Sequence, residues 1–244
     1  MDIGFKGKKA LVTGGSKGIG MAVAEALAKS GAEVVALGRD FSTSGDSLKA
    51  QGIQCVEADV GGDIGPIREK LLPFLPFDLC VNSAGVSIIE PFLEIDPANF
   101  CNIFRPNLRG VLFVSQIVAK AMVEKGVKGA IVNISSEAAK RAVLDHTLYC
   151  ASKAAVDSFT RSMALELGQH GIRVNSVNPT AVLTDMGKMA WSDPEKAEPL
   201  KQRIPLGRFV EVEEVVKAVL FLLSDNASMT TGATFPIEGG LGAA

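Results

Sequence analysis

Thr13-Gly14-Gly15-Ser16-Lys17-Gly18-Ile19-Gly20, residues 13–20, closes an apolar run that begins at Ala10 and leads straight into Ala22–Lys29, where apolar residues recur at helical spacing. A glycine turn between a strand and a helix is the setting in which a dinucleotide's pyrophosphate meets backbone N–H groups and the positive end of a helix. Gly14 permits the tight turn, Gly18 lets the backbone approach the pyrophosphate, and Gly20 lets helix and strand pack closely, with Ser16 and Ile19 in the same turn. The stretch also reads as an ordinary strand-helix connection, so the rest of the chain must decide.

Five further apolar runs follow at Glu33–Leu37, Gln54–Ala58, Leu79–Asn82, Ala130–Ile134 and Arg173–Val177, most of them rich in Val or Ile, as strands covered on both faces are. Between them Ile64–Leu72, Phe100–Glu124 and Ala151–Leu167 have helical spacing; a late helix spans Val212–Leu223, and Thr234–Ile237 supplies a seventh strand. Strand alternating with helix predicts right-handed βαβ units and a parallel sheet. The expected fold is α/β: a single Rossmann-type doubly wound domain over residues 1–244, with a seven-stranded parallel sheet and helices on both faces. No linker, repeat or low-complexity tract divides the chain. Thr180–Pro205, broken by Pro194, Pro199 and Pro205, reads as an insertion, and its part around 183–205 as a substrate lid.

The 244 residues are 47% apolar and carry a net charge of -2 with no basic block, which argues against a nucleic-acid partner. Cys55, Cys80, Cys101 and Cys150 form no C-x-x-C pair and lie in or beside apolar runs, suiting reduced core thiols better than disulfides or a metal site. Met1–Lys9 leaves no room for a signal peptide's apolar segment, and no apolar run approaches the roughly 18 residues of a membrane span, so a cytoplasmic protein is expected.

The second strand ends in Gly38-Arg39, where an acidic residue would bind a ribose 2′-hydroxyl and a basic one a 2′-phosphate. Arg39 and Lys17 together favour NADP(H); the alternative is that both are solvated charges and Asp40 takes the ribose. Asp59, with Val60 beside it, stands where it can accept from the adenine amino group, or simply closes a strand-end turn.

Tyr149 and Lys153 stand four residues apart at a helix start, on one face. Carbonyl reduction needs a proton donor at the oxygen as hydride reaches the carbon, and a phenol with pKa about 10 gains acidity beside an ammonium. Lys153 is therefore expected to lower the pKa of Tyr149 and to hold the nicotinamide ribose. Ser136, at the carboxyl end of the fifth strand and 13 residues before Tyr149, is placed to bind the substrate oxygen. Asn107, next to Pro106 within the long fourth helix, is expected to kink it and to hold a water linked to Lys153.

With Asn82-Ser83-Ala84-Gly85 and Asn178-Pro179-Thr180, these motifs resemble the short-chain dehydrogenase/reductase family over essentially the whole chain. The resemblance implies Tyr149 as general acid, Lys153 as its electrostatic partner and ribose ligand, Ser136 as carbonyl orienter, Asn107 in a proton relay, and a homotetramer. It also implies Asn82, Ala84, Gly85, Val182 and Thr184 at the cofactor, and Val143, His146 and Trp191 on the substrate wall, although a loop histidine is often a surface residue and a lone Trp a packing anchor. Stretches such as Val114–Ala119 and Arg203–Gly207 resemble members that reduce L-xylulose and small α-dicarbonyls with NADPH. Ser83, Pro106, Thr180 and Glu238 depart from the usual family residues. The competing readings are a 3-oxoacyl-thioester reductase, for which Lys188, Lys201 and Arg203 would bind an acidic carrier, and a non-catalytic NADP(H)-binding protein.

Overall fold

The structure is a computed structural model that describes residues 3–243, without the side chains at 185, 186, 190 and 196. Among the described residues seven strands, β1 (Lys9–Thr13), β2 (Glu33–Gly38), β3 (Gln54–Glu57), β4 (Leu79–Asn82), β5 (Ala130–Ile134), β6 (Arg173–Pro179) and β7 (Thr234–Ile237), form one parallel sheet in the order β3-β2-β1-β4-β5-β6-β7. The order reverses between β1 and β4, so a crevice opens beyond their carboxyl ends, where sheets of this type hold ligands.

Alternating residues of the strands face two cores. Ala10 and Val12 of β1, Val81 and Val132 pack under α1 (Gly18–Lys29) and, after the intervening helices, under the late helix at Val212–Leu223, through Val23, Leu27, Val219 and Leu222. Leu11, Cys80, Ile131 and Val174 pack on the opposite face. Covering that face, after α2 (Gly45–Ala50), are α3 (Ile64–Leu71), α5 (Val111–Lys125) and α6 (Thr147–Leu167), with α4 (Pro97–Phe104) packed against α6. After β6 come α7 (Asp185–Ala190), α8 (Pro194–Lys201) and α9 (Val212–Leu223). The α7–α8 segment has its own small apolar cluster of Ala197, Ile204, Phe209 and Leu241, with Trp191 against it.

The helix expected over Phe100–Glu124 is three pieces. Between α4 and α5 lies a π-helical turn, Arg105–Gly110. Pro106 has no N–H for the carbonyl four residues back, so the α-helical ladder breaks there and the backbone widens to hydrogen bonds that span five residues. Of the cysteines read as core, Cys80 is buried, Cys55 and Cys150 are half-buried, and Cys101 is exposed, because it lies on the outer side of the short helix α4. No helix among the described residues is long and apolar enough to cross a membrane.

Candidate active site

The glycine turn of residues 13–20 is built as its spacing demands. Gly14 has φ +66°, and an added Cβ would stand 2.8 Å from the Ala84 nitrogen; at Gly20 it would stand 2.3 Å from the Gly14 carbonyl oxygen. Thr13 Oγ1 accepts from the Ser83 and Ala84 N–H groups at 3.1 and 3.2 Å, binding the ends of β1 and β4 together. Lys17 caps α1 without a side-chain hydrogen bond and no acidic residue occupies the first turn, which leaves the first N–H groups of α1 for a diphosphate. Gly18 faces Thr184, whose Cγ2 would lie 3.5 Å from an added Cβ, so a methyl here would narrow the space between turn and α7.

At the end of β2, Arg39 and Lys17 are exposed and Ser16 lies against Gly38. Asp40 turns its carboxylate to the Ser42 N–H (2.7 Å), and the Ser42 hydrogen bonds hold its pKa below the usual carboxylate value, with Lys17 adding to the effect. Asp59 accepts from the Gly61 N–H at 2.9 Å, so one of its oxygens closes a turn, while Val60 is buried against Gly110. The side chain of Asn82 lies inside the sheet: its amide donates to Ser115 Oγ (2.9 Å) and to Asn133 Oδ1 (2.8 Å), and Asn133 donates on to Thr160 (2.9 Å). Val182 bridges to Val210, and Thr184 caps α7 by accepting from the Gly187 N–H.

Tyr149, in the first turn of α6, has the Ser136 hydroxyl that follows β5 as its polar neighbour, and Ser136 Oγ also accepts from the Ala138 N–H at 3.1 Å. Burial raises the pKa of Tyr149 above the ordinary 10, an effect the nearby Ser136 hydroxyl reduces and neighbouring Cys150 reinforces. This corrects the expectation of a phenol acidified by Lys153. The ammonium lies 5.7 Å from the Tyr149 ring centroid and donates to the Ile134 carbonyl at 2.8 Å, while the apolar walls dominate at the phenol. Lys153 itself is buried, which pulls its pKa down from 10.5 to about 8 against the opposing pull of Asp157. An added Cβ at Gly85 would lie 3.2 Å from Asn107 Oδ1 and 3.5 Å from Lys153 Nζ, so glycine keeps open the space these two polar groups border. Asn107, fully buried in the π turn, accepts from the Val86 N–H (2.8 Å) and donates to the Val86 carbonyl (2.9 Å) and to Ser152 Oγ (3.0 Å).

A family model described as "Enoyl-(Acyl carrier protein) reductase" matches residues 14–242. The chain is 50% identical over 241 residues to L-xylulose reductase of Mus musculus and 48% over 240 residues to D-erythrulose reductase of Gallus gallus, covering 98% of itself in both and 98% and 97% of those proteins. The chain belongs to the short-chain dehydrogenase/reductase family. A crystal structure described as a putative NAD(P) dependent gluconate 5-dehydrogenase from Beutenbergia cavernae, with bound NADP at low occupancy, superposes with a TM-score of 0.93 at 31% identity over the whole of both chains. As a short-chain dehydrogenase/reductase the protein is an oxidoreductase of alcohol and carbonyl groups that takes a nicotinamide cofactor.

Of the substrate-wall candidates in this short-chain dehydrogenase/reductase, His146 meets Tyr149 edge-on with ring centroids 6.2 Å apart. Its Nδ1 lies 2.7 Å from the Leu144 carbonyl, and its backbone N–H donates to the Val143 carbonyl. Trp191 packs on Phe209 at 5.3 Å as the anchor of the α7–α8 cluster. Three residues that the sequence reading passed over tie the site together. Ser152 accepts from Asn107 and donates to the Tyr149 carbonyl (2.8 Å); Arg109 donates to the Gly61 and Gly62 carbonyls; Asp157 accepts from Ser176 (3.0 Å) and Asn178 (2.8 Å). Only Asp157 had a sequence signal, a carboxylate one helical turn beyond Lys153 on the same face.

Proposed function

We propose that this chain is an NADPH-dependent reductase of short polar carbonyl compounds, L-xylulose before others, with small α-dicarbonyls such as diacetyl as further substrates. The observation that carries the reading is the convergence of Tyr149, the Ser136 hydroxyl and buried Lys153 at the carboxyl end of β5, where one substrate oxygen can meet both hydroxyl groups. The cofactor supplies hydride to the carbonyl carbon when bound. Tyr149, whose raised pKa keeps it protonated at neutral pH, donates its proton to the oxygen as charge develops there. Ser136 orients the same oxygen, and its hydroxyl, which favours the ionised phenol, steadies the phenolate left behind. Lys153 and the space at Gly85 suit the nicotinamide ribose, and Asn107 holds the Val86 strand exit and, through its turn, a water on the relay to Lys153.

NADPH is favoured over NADH because Arg39 and Lys17 are exposed by the end of β2 while the neighbouring Asp40 carboxylate is taken by Ser42. The catalytic set is thus Asn107, Ser136, Tyr149 and Lys153. The α7–α8 segment, residues 183–205, serves as the lid, with Trp191 fixing it. The names of the relatives support a ketose substrate, and the imidazole of His146 beside Tyr149 suits a hydroxylated one. For the thioester alternative the basic groups are weakened: Lys201 pairs with Glu198 at 3.6 Å and lies over the Phe209 ring.

A homotetramer in the cytoplasm belongs to the same proposal. It is supported by the family, by free thiols suited to a reducing compartment, and by two cavities of about 440 Å³, one between α5 and α6 and one at the β7 edge. The test is NADPH oxidation with L-xylulose, diacetyl and an acetoacetyl thioester, each repeated with NADH. Turnover of the first two with NADPH preferred is expected; turnover of the thioester alone would overturn the substrate reading. Tyr149→Phe should abolish turnover and leave NADPH binding nearly intact.

A further inference from the structure

The Asp157 carboxylate is 5% exposed, one turn beyond Lys153 on α6. Its Oδ1 accepts from Ser176 Oγ (3.0 Å) and its Oδ2 from Asn178 Nδ2 (2.8 Å). The same Asn178 amide donates its other hydrogen to the Ser136 carbonyl at 2.9 Å. Two residues earlier in the chain, the Ile134 carbonyl is held by Lys153. Of the two side chains that pin the backbone where β5 delivers Ser136, Asp157 accepts from the Asn178 amide and stands one helical turn from the Lys153 ammonium, near enough for its charge to act on it.

We propose that Asp157 is a positioning residue for carbonyl reduction, anchoring Ser136 through Asn178 and supplying the buried counter-charge that keeps Lys153 an ammonium. The inference rests on the reductase reading of the site. Charged groups on the elements packed against α6 are otherwise engaged or turned to solvent. Glu137, after Ser136, pairs with Arg141; Arg109 of the π turn binds the Gly61 and Gly62 carbonyls; Arg173 of β6 binds the carbonyls ending α9. Arg105, Lys140, His170 and, on α5, Lys120, Glu124 and Lys125 are exposed. Within α6, the neutral phenol of Tyr149 and the Cys150 thiol are the remaining titratable neighbours of Lys153. A carboxylate one turn away favours the ammonium form of Lys153, and its removal from a site this dry should shift the proton loss by about one pH unit or more.

The experiment compares kcat and KM from pH 6 to 10 for wild type, Asp157→Asn and Asp157→Ala. Asp157→Asn keeps an acceptor for Asn178 and removes the charge. Its high-pH limb should move about one unit lower, an activity loss of roughly fivefold at pH 8 with little change at pH 6 and an unchanged KM. Asp157→Ala should show the same limb together with a several-fold higher KM and lower kcat at pH 6, as Ser136 loosens. An Asp157→Asn profile that overlays wild type overturns the counter-charge role, and equal pH 6 constants in the two variants overturn the anchoring role. If Asp157→Asn does not fold, Asp157→Ser gives the same reading with room for a water. Should wild type turn over no carbonyl substrate, the reductase reading falls. The Lys153 part is then read from unfolding free energy against pH, whose rise must begin at lower pH in Asp157→Asn, and curves that coincide overturn it.

Discussion

Replacing Lys153 by Met tests what the buried ammonium does to the stability of the protein. Burial brings its pKa from 10.5 to about 8, so the folded chain gives up this proton well before the unfolded chain does. Between pH 8 and 10.5 the unfolded state binds more protons, and stability contributed by this group rises with pH across that window. At about 1.4 kcal/mol per pH unit the full rise is about 3 kcal/mol, and below pH 8 the entire penalty is present. Lys153→Met removes the penalty but also the hydrogen bond to the Ile134 carbonyl and the counter-charge of Asp157. The pull of Asp157 is already contained in the net shift to about 8 and fades with the same proton, and the neutral amine can still donate to the Ile134 carbonyl, so the slope carries the test. Urea unfolding followed by circular dichroism, without cofactor and at fixed protein concentration, should show wild type gaining about 3 kcal/mol on the variant from pH 8 to 10.5. Both proteins should carry Tyr149→Phe, so that the phenol does not titrate in the same window. Parallel curves for the two proteins would refute the argument.

Arg39→Ala should weaken NADPH binding about tenfold or more, the loss of a charge-assisted hydrogen bond, and leave NADH binding nearly unchanged; fluorescence titration that finds equal losses for both would rule out a 2′-phosphate contact. Gly20→Ala places a methyl 2.3 Å from the Gly14 carbonyl oxygen, and overpacking of this kind costs about 1–3 kcal/mol; the melting temperature should fall and NADPH should no longer raise it. Arg208 and then the Glu211 N–H bring the pKa of Glu214 down to about 2, so its contribution is complete above the ordinary carboxylate range and fades as pH falls toward 2. The Glu214→Gln variant should therefore lose less than about 1 kcal/mol at pH 7, the pair being half in solvent, and should converge on wild type in acid unfolding.

The strands were legible because burial on both faces leaves uninterrupted Val- and Ile-rich runs; β4, β5, β7 and α9 begin and end where those runs do. The π turn was only half visible. Pro106 and Asn107 announced a break, but the widened ladder depends on what Asn107 finds across the crevice at Val86 and Ser152. The six-residue helix α2 was missed, being too short to show a period. The Tyr149-x-x-x-Lys153 pair could be read from helical spacing, yet the sign of the Tyr149 shift could not, since it depends on walls contributed by distant segments. Ser152 and Arg109 act on partners 45 and 47 or 48 residues away, and no local pattern marks such contacts.

The buried amides of Asn82 and Asn133 face each other across β4 and β5. Both strands are apolar on both faces, so burial alone would tolerate several alignments. Sliding one strand by a residue would set Asn82 against Val132 or Ile134, part the two amides and take the sliding one from Ser115 or Thr160, at about 1–3 kcal/mol for each group left unmatched. The polar pair thus acts as a key for assembly in the middle of the sheet. A chain with Val at both positions would retain its driving force for collapse but lose this check on alignment, and would refold with more misaligned product.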